Sequence, residues 1–228
     1  TNVIFPRLSR LTAEHQEGAF RDTLRQTIHG SLFFVLPMAA GLMVLARPMV
    51  SFLYGGGEFD EFSVSITSEA LVWVSLGMVG YGLQNILSRA YFARQDGRTP
   101  LVAGGVSILA NILLCMVLTE PMGVAGLAIA STVSSTLYAV LLLVPMELRG
   151  EGILSGGFGV DFLKMLASAA GMAAVVWLAR NSLSALLPAG KAGELLLLGA
   201  CAALGAAVYF LLAGLTRLEA VSYTHLTL

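Results

Sequence analysis

The chain has 228 residues, of which 57% are hydrophobic with its 25 glycines left out of that count, and 12% are charged, against about 25% in an ordinary soluble domain. Mean hydropathy is +0.82, more apolar surface than a soluble fold of this size can hide, which makes a soluble enzyme, a disordered chain and a disulfide scaffold poor readings and leaves a polytopic membrane protein, which the lengths of its apolar runs make all-α. Net charge is −1 and the pI about 6.3, so nothing points to nucleic acid.

Thr1 opens the chain with no signal peptide before it, and Val3-Ile4-Phe5-Pro6 leads directly into charge. This reads as the later part of a longer protein. Residues 1–28 are expected to form a cytoplasmic end. Within it, Phe20, Leu24 and Ile28 recur every four residues beside Arg21 and Arg25, the pattern of an amphipathic helix over Leu11–Ile28 lying at the membrane surface. A solvated connecting loop is the alternative.

Beyond this point the charges themselves mark the spans, because a helix needs about 20 apolar residues to cross a bilayer core. Arg25 and Arg47 enclose 21 residues free of Asp, Glu, Lys and Arg; Glu69 and Arg89 enclose 19, Arg98 and Glu120 21, Glu120 and Glu147 26, and Glu194 and Arg217 22. Lys164 and Arg180 enclose only 15, extended by Phe158, Val160 and Phe162. Six transmembrane helices are therefore predicted near 29–53, 67–92, 100–119, 122–146, 160–180 and 193–216. Runs such as Leu113–Leu118 do not alternate as barrel strands would. The first four spans make a unit over 29–146, and two more follow over 147–220.

The turns carry their own signals. Gly55-Gly56-Gly57 ends the first span. Asp96-Gly97-Arg98-Thr99-Pro100 reads as a turn with Thr99 as N-cap and Pro100 in the first helical position. Glu120-Pro121 is expected to close the hairpin between the third and fourth spans, and Pro188-Ala189-Gly190 to separate the last two.

When segments alternate across the membrane, one side collects 10 of the 13 Lys and Arg residues, and the other only Arg47, Arg180 and Lys191. The positive-inside rule then puts both ends in the cytoplasm and Trp73 and Trp177 near the outer interface.

Catalytic chemistry has little support. His15, His29 and His225 are scattered, Cys115 and Cys201 sit in apolar runs as buried hydrophobes do, and Gly55-Gly56-Gly57 lacks the ending of a phosphate loop. No metal site, cofactor or enzymatic activity is expected. Polar residues inside the spans are the better candidates: Gln84 and Asn85 in the second, Asn111 in the third, and Ser131, Thr132, Ser134, Ser135 and Thr136 in the fourth. Each can equally serve as helix–helix glue. Small residues four apart (Gly199, Ala203 and Ala207; Ala167 and Gly171) read as close-packing seams. Pro37 and Pro145 lie inside spans and free carbonyls there.

Four pieces stand in a telling order: Phe5-Pro6-Arg7-Leu8-Ser9, Gly57-Glu58-Phe59-Asp60, Ser88-Arg89-Ala90-Tyr91-Phe92-Ala93-Arg94-Gln95-Asp96-Gly97-Arg98-Thr99-Pro100, and Gly123-Val124-Ala125-Gly126-Leu127-Ala128-Ile129-Ala130. Together they resemble the C-terminal half of the MurJ (MviN) family, the bacterial lipid II flippases of the MOP/MATE-like superfamily, over about residues 1–220. The resemblance implies the last six helices of a fourteen-helix, two-lobed transporter of the bacterial cytoplasmic membrane. That transporter would move undecaprenyl-diphosphate-linked peptidoglycan precursor by alternating access. Its partners would be membrane lipid, lipid II or a related polyprenyl-diphosphate, and the missing N-terminal lobe, which in the family carries an arginine-rich cavity. The last two helices would add a hydrophobic groove for the lipid tail. Arg89, Arg94 and Arg98 become candidates for meeting the anionic headgroup on its approach, beside their positive-inside role. A flippase for another polyprenyl-linked saccharide, a MATE-type exporter and a non-transporting membrane scaffold are the alternatives.

Two departures go with the resemblance. Residues 221–228 do not look like the family's basic end and read as foreign sequence. Some family members are thought to hold sodium between helices matching the third and fourth here. Asn111 and Ser131 offer oxygens there, but Cys115 stands where a carboxylate would be needed. Asn111 and Ser131 are therefore expected to pack these two helices together, with no sodium held by this chain alone.

Overall fold

The computed structural model describes residues 4–150, 152–155, 157–184 and 190–215. They form α1 (Ile4–Ala13), α2 (Glu17–Tyr54), α3 (Glu61–Ala93), α4 (Arg98–Leu148), α5 (Phe158–Ser184) and α6 (Lys191–Leu215). Helices α2 to α6 are all long and apolar enough to cross a membrane. The longest of them is broken. Gly123 in α4 takes φ 56 and ψ −130, and the chain reverses there. Ser107 Oγ on the first arm donates to Ser134 O on the second at 2.7 Å, so the arms run antiparallel and the described residues contain six apolar crossing arms. The fold is that of an all-α polytopic membrane protein.

The reversal corrects the expectation of a turn at Glu120-Pro121. Proline holds φ near −65°, whereas the observed backbone needs a positive φ, which glycine adopts without steric cost. Gly126 fits the same turn for a second reason. A Cβ there would collide with the Leu118 carbonyl oxygen of the other arm.

Residues 11–28 are likewise not a helix of their own on the membrane surface. The four-residue apolar recurrence of Phe20, Leu24 and Ile28 continues through Leu32 and Leu36, all buried within the protein. Nothing before Pro37 interrupts it, so α2 is one helix of 38 residues. At 1.5 Å per residue it is about 57 Å long, against about 30 Å of hydrocarbon. Its first turns pack with α1 and α3, and Leu8 and Leu11 of α1 join Leu87 and Tyr91 of α3 in the buried apolar core.

Helix α2 is the centre of the bundle, with α3 and then α4 on one side and α5 and α6 on the other. The α3–α4 seam is tight because Gly77 and Gly80 receive Thr132 and Thr136. A Cβ on Gly77 would lie 2.7 Å from Thr132 Oγ1, and one on Gly80 2.9 Å from the Thr136 backbone nitrogen. Thr132 Oγ1 donates across the seam to Trp73 O at 2.6 Å. The first arm of α4 turns Leu101, Ile108, Leu113 and Met116 outward, all at least 62% exposed, as a lipid-facing surface would be.

The α6 seam falls on a different stripe from the one expected. Gly193, Leu197, Cys201, Gly205, Tyr209 and Ala213 are buried, while Gly199, Ala203 and Ala207 are exposed. Both stripes have four-residue spacing, and the larger apolar side chains on the first gain more from burial. On α5, Gly171 faces α6 at Leu212, while Ala167 is exposed. Most of Pro188-Ala189-Gly190 and all of 221–228 lie outside the described residues.

Candidate functional site

At one end of the bundle, the loop between α3 and α4 is a compact stop-and-start device. Asp96 N–H donates to Tyr91 O and Gln95 N–H to Phe92 O, both at 3.0 Å, with Gln95 in the left-handed region at φ 60. This closes α3. Asp96 then opens α4: its carboxylate accepts the Thr99 N–H at 3.1 Å and the Thr99 hydroxyl at 2.8 Å. Thr99 is thus the group being capped and Asp96 the cap, the reverse of the expectation, because the carboxylate reaches the exposed N–H groups of the first turn while Thr99 already lies inside it. The Thr99 N–H, then its hydroxyl, and more weakly Arg149 at 3.8 Å hold the Asp96 carboxyl below its ordinary range.

The three candidate arginines part company here. Arg94 donates to Glu17 Oε2 at 2.9 Å and stacks 4.2 Å above the Phe20 ring, so it clamps α2 to α3. Arg98 is exposed, and Arg89 is partly buried on the last turns of α3. Of the intramembrane candidates, Asn85 is exposed and donates to Tyr81 O of its own helix at 2.8 Å, and Gln84 beside it is partly buried. Asn111 does face the seam between the two arms of α4. Its Nδ2 donates to Ser134 Oγ at 3.0 Å, and Ser134 donates in turn to Ser131 O at 3.1 Å. Ser131 therefore enters through its backbone, and Ser134 is the side chain that meets Asn111. No cluster of metal-ligating residues occurs among the described residues.

A large groove lies elsewhere. It holds about 610 Å³ and runs between α2, α5 and α6, walled by Phe34, Met38, Leu45 and Phe52 on α2, Met172 and Val176 on α5, and Leu198, Cys201, Gly205, Tyr209 and Phe210 on α6. Its sides open outward at Phe34, Met38 and Phe210, each about half exposed.

Two prolines decide how this groove is held. Pro37 and Pro48 lie inside α2, and each removes the N–H that would meet the carbonyl four residues earlier. Those carbonyls belong to Phe33 and Val44. Tyr209 of α6 donates its hydroxyl to Phe33 O at 2.7 Å, and Arg180 of α5 donates Nη1 to Val44 O at 2.8 Å. Both helices that form the groove with α2 are thus fastened to it at the acceptors its prolines set free. Backbone polar groups in lipid must be satisfied from within the protein, and here the repair and the helix docking are the same bonds. Pro37 is visible in the sequence as a carbonyl in need of a donor. The donors were not, since they stand 176 and 136 residues further along.

The comparisons with known proteins point the same way. A family model described as lipid II flippase MurJ matches residues 1–196. A Vibrio cholerae protein named "Probable lipid II flippase MurJ" is 34% identical over 148 residues, covering 65% of this chain and 28% of its own length. A Thermotoga maritima protein of the same name is 31% identical over 208 residues, covering 91% of this chain and 40% of its own. A solved structure titled "Lipid II flippase MurJ, inward closed conformation" superposes with a TM-score of 0.76 at 24% identity, over 96% of this chain and 43% of that one. The chain spans well under half the length of these relatives. With its six apolar arms, the Ser88–Pro100 device and the family match across most of its length, the chain belongs to the MurJ family.

Proposed function

We propose that this chain forms the C-terminal part of a flippase that moves undecaprenyl-diphosphate-linked peptidoglycan precursor (lipid II) across the bacterial cytoplasmic membrane by alternating access. The carrying observation is the groove between α2, α5 and α6. It is apolar along its length, opens sideways, and is built from the two C-terminal helices together with a proline-interrupted helix of the main bundle. Such a surface suits a polyprenyl chain, which offers nothing to hydrogen-bond. Its one wall hydroxyl, on Tyr209, is committed to Phe33 O.

In this reading the Arg94 end faces the cytoplasm and the Arg47 end faces outward. Arg98 and Arg89 meet the anionic headgroup on its approach, and Arg94 positions the loop that carries Arg98. The diphosphate itself is held by the N-terminal lobe of the full-length protein, and the full-length protein performs transport without bond-making chemistry. Asn111 and Ser134 fasten the arms of α4, and the chain by itself holds no sodium, since no carboxylate accompanies them.

Depleting the full-length protein tests the reading. Lipid II should accumulate in the inner leaflet, as read by accessibility to an externally added lipid II-cleaving toxin. Unchanged accessibility would overturn it.

A further inference from the structure

Beside the groove, one turn further along α5 and α6, the lining changes character. Val176 gives way to Arg180 on α5 and Leu198 to Glu194 on α6, while on α2 Arg47 and Ser51 alternate along the helix with the groove residues Leu45, Met49 and Phe52. These residues, with Glu61 at the start of α3, surround a second pocket of about 310 Å³. It thus faces two guanidinium groups and two carboxylates. Trp177, half exposed, stands one turn below Arg180 on α5, at the depth where indole rings meet lipid headgroups.

Resting on the reading of the groove as a lipid-chain site, we propose that this pocket binds the head group of a zwitterionic phospholipid while an acyl chain lies in the groove. The phosphate sits on the Arg47 and Arg180 side and the ammonium on the Glu61 and Glu194 side. The charge balance chooses the ligand. A purely anionic head group would gain the two arginines but face both carboxylates, whereas a phosphate joined to an ammonium satisfies all four. The groups have donors and acceptors to give. Arg180 uses Nη1 on Val44 O, which leaves the rest of its five-donor fork. Ser51 donates to Glu194 Oε1 at 2.8 Å, fixing that carboxylate yet leaving its second oxygen. Arg47 and Glu61 pair with each other, but at 62% and 75% side-chain exposure, where an ion pair is weak and exchanges readily.

The test uses the full-length protein and native mass spectrometry, with phosphatidylethanolamine and phosphatidylglycerol as the lipids offered. Phosphatidylethanolamine should be retained about fivefold better than phosphatidylglycerol, the size of one partly screened ion pair. The isosteric pair Glu61→Gln and Glu194→Gln should bring the two to parity, while Leu198→Trp, which fills the groove, should lower both alike. If the double variant melts early, Glu61→Gln alone carries the test and should at least halve the preference. Equal or better retention of phosphatidylglycerol, or a preference untouched by the Gln variants, would overturn the head-group site. Lipid II transport by the same protein separates the two readings. In the wild-type protein, transport without selectivity overturns this site alone, and selectivity without transport overturns the flippase reading alone.

Discussion

Tyr209 shows how much one hydroxyl can decide in a membrane fold. The Phe33 carbonyl is an acceptor only because Pro37 withholds its helical donor, so the two residues should be energetically coupled. Tyr209→Phe is expected to cost about 1 kcal/mol of stability, read by reversible unfolding in mixed micelles. In a Pro37→Ala background, where residue 37 regains its N–H, the same change should be close to neutral. Equal costs in both backgrounds would show that the hydroxyl matters for another reason. Asp96 acts at the same scale. Its carboxyl is held low by Thr99 and Arg149, and a group lowered in the folded state stabilises it above the ordinary carboxylate pKa of about 3.9. That contribution is lost as pH falls through this range and below. Asp96→Ala should therefore cost about 1 kcal/mol at neutral pH, and the gap to wild type should shrink on acidification. A gap independent of pH would mean that the charge contributes nothing to the cap.

Among the elements, α3 and α4 depend on backbone approach more than on side-chain bulk. Gly123 has open space around its missing Cβ but a backbone at φ 56 and ψ −130. Gly123→Ala should cost about 1–3 kcal/mol through conformational strain alone. Gly80 has an ordinary helical backbone but no room, with Thr136 backbone atoms within 3.0 Å of the position its Cβ would take. Gly80→Ala should cost a similar amount by prising α3 from α4. Gly97, exposed and with nothing within 4 Å, is the control, and its change to Ala should stay within about 0.5 kcal/mol. Melting temperatures of the three variants check these costs. A Gly80 variant that melts with the Gly97 control would overturn the close approach of α3 and α4, and a Gly123 variant that does so would overturn the backbone strain.

For the whole molecule, the proposed orientation rests on the sequence count of ten Lys and Arg residues against three when segments alternate across the membrane. The two ends also differ in construction. The Arg94 end ties helices together through Glu17, Phe20, Asp96 and Arg149, while the Arg47 end holds the mixed-charge pocket. Single cysteines at exposed Glu58 and Gly97, in a background with Cys115 and Cys201 changed to Ala, should label from outside and from inside respectively with a membrane-impermeant maleimide. The reverse pattern would overturn the proposed orientation.

Composition and periodicity alone settled that this is an all-α membrane protein with six apolar arms, because lipid forces each span to be long, charge-free and helical, and every one of those demands is written locally. The Ser88–Pro100 motif carried the family for a related reason: a helix stop followed at once by a helix start needs particular residues in a particular order. Tertiary structure decided the rest. Phe20, Leu24 and Ile28 carried a correct apolar face, but only packing within the bundle buried that face rather than leaving it at the membrane surface. Two stripes on α6 had equal spacing, and contact with α2 and α5 selected between them. Arg94 looked like its neighbours Arg89 and Arg98 until Glu17 and Phe20 were brought beside it. The donors for the proline-freed carbonyls come from more than a hundred residues away, and no local pattern specifies a partner that only the folded bundle brings within hydrogen-bonding distance.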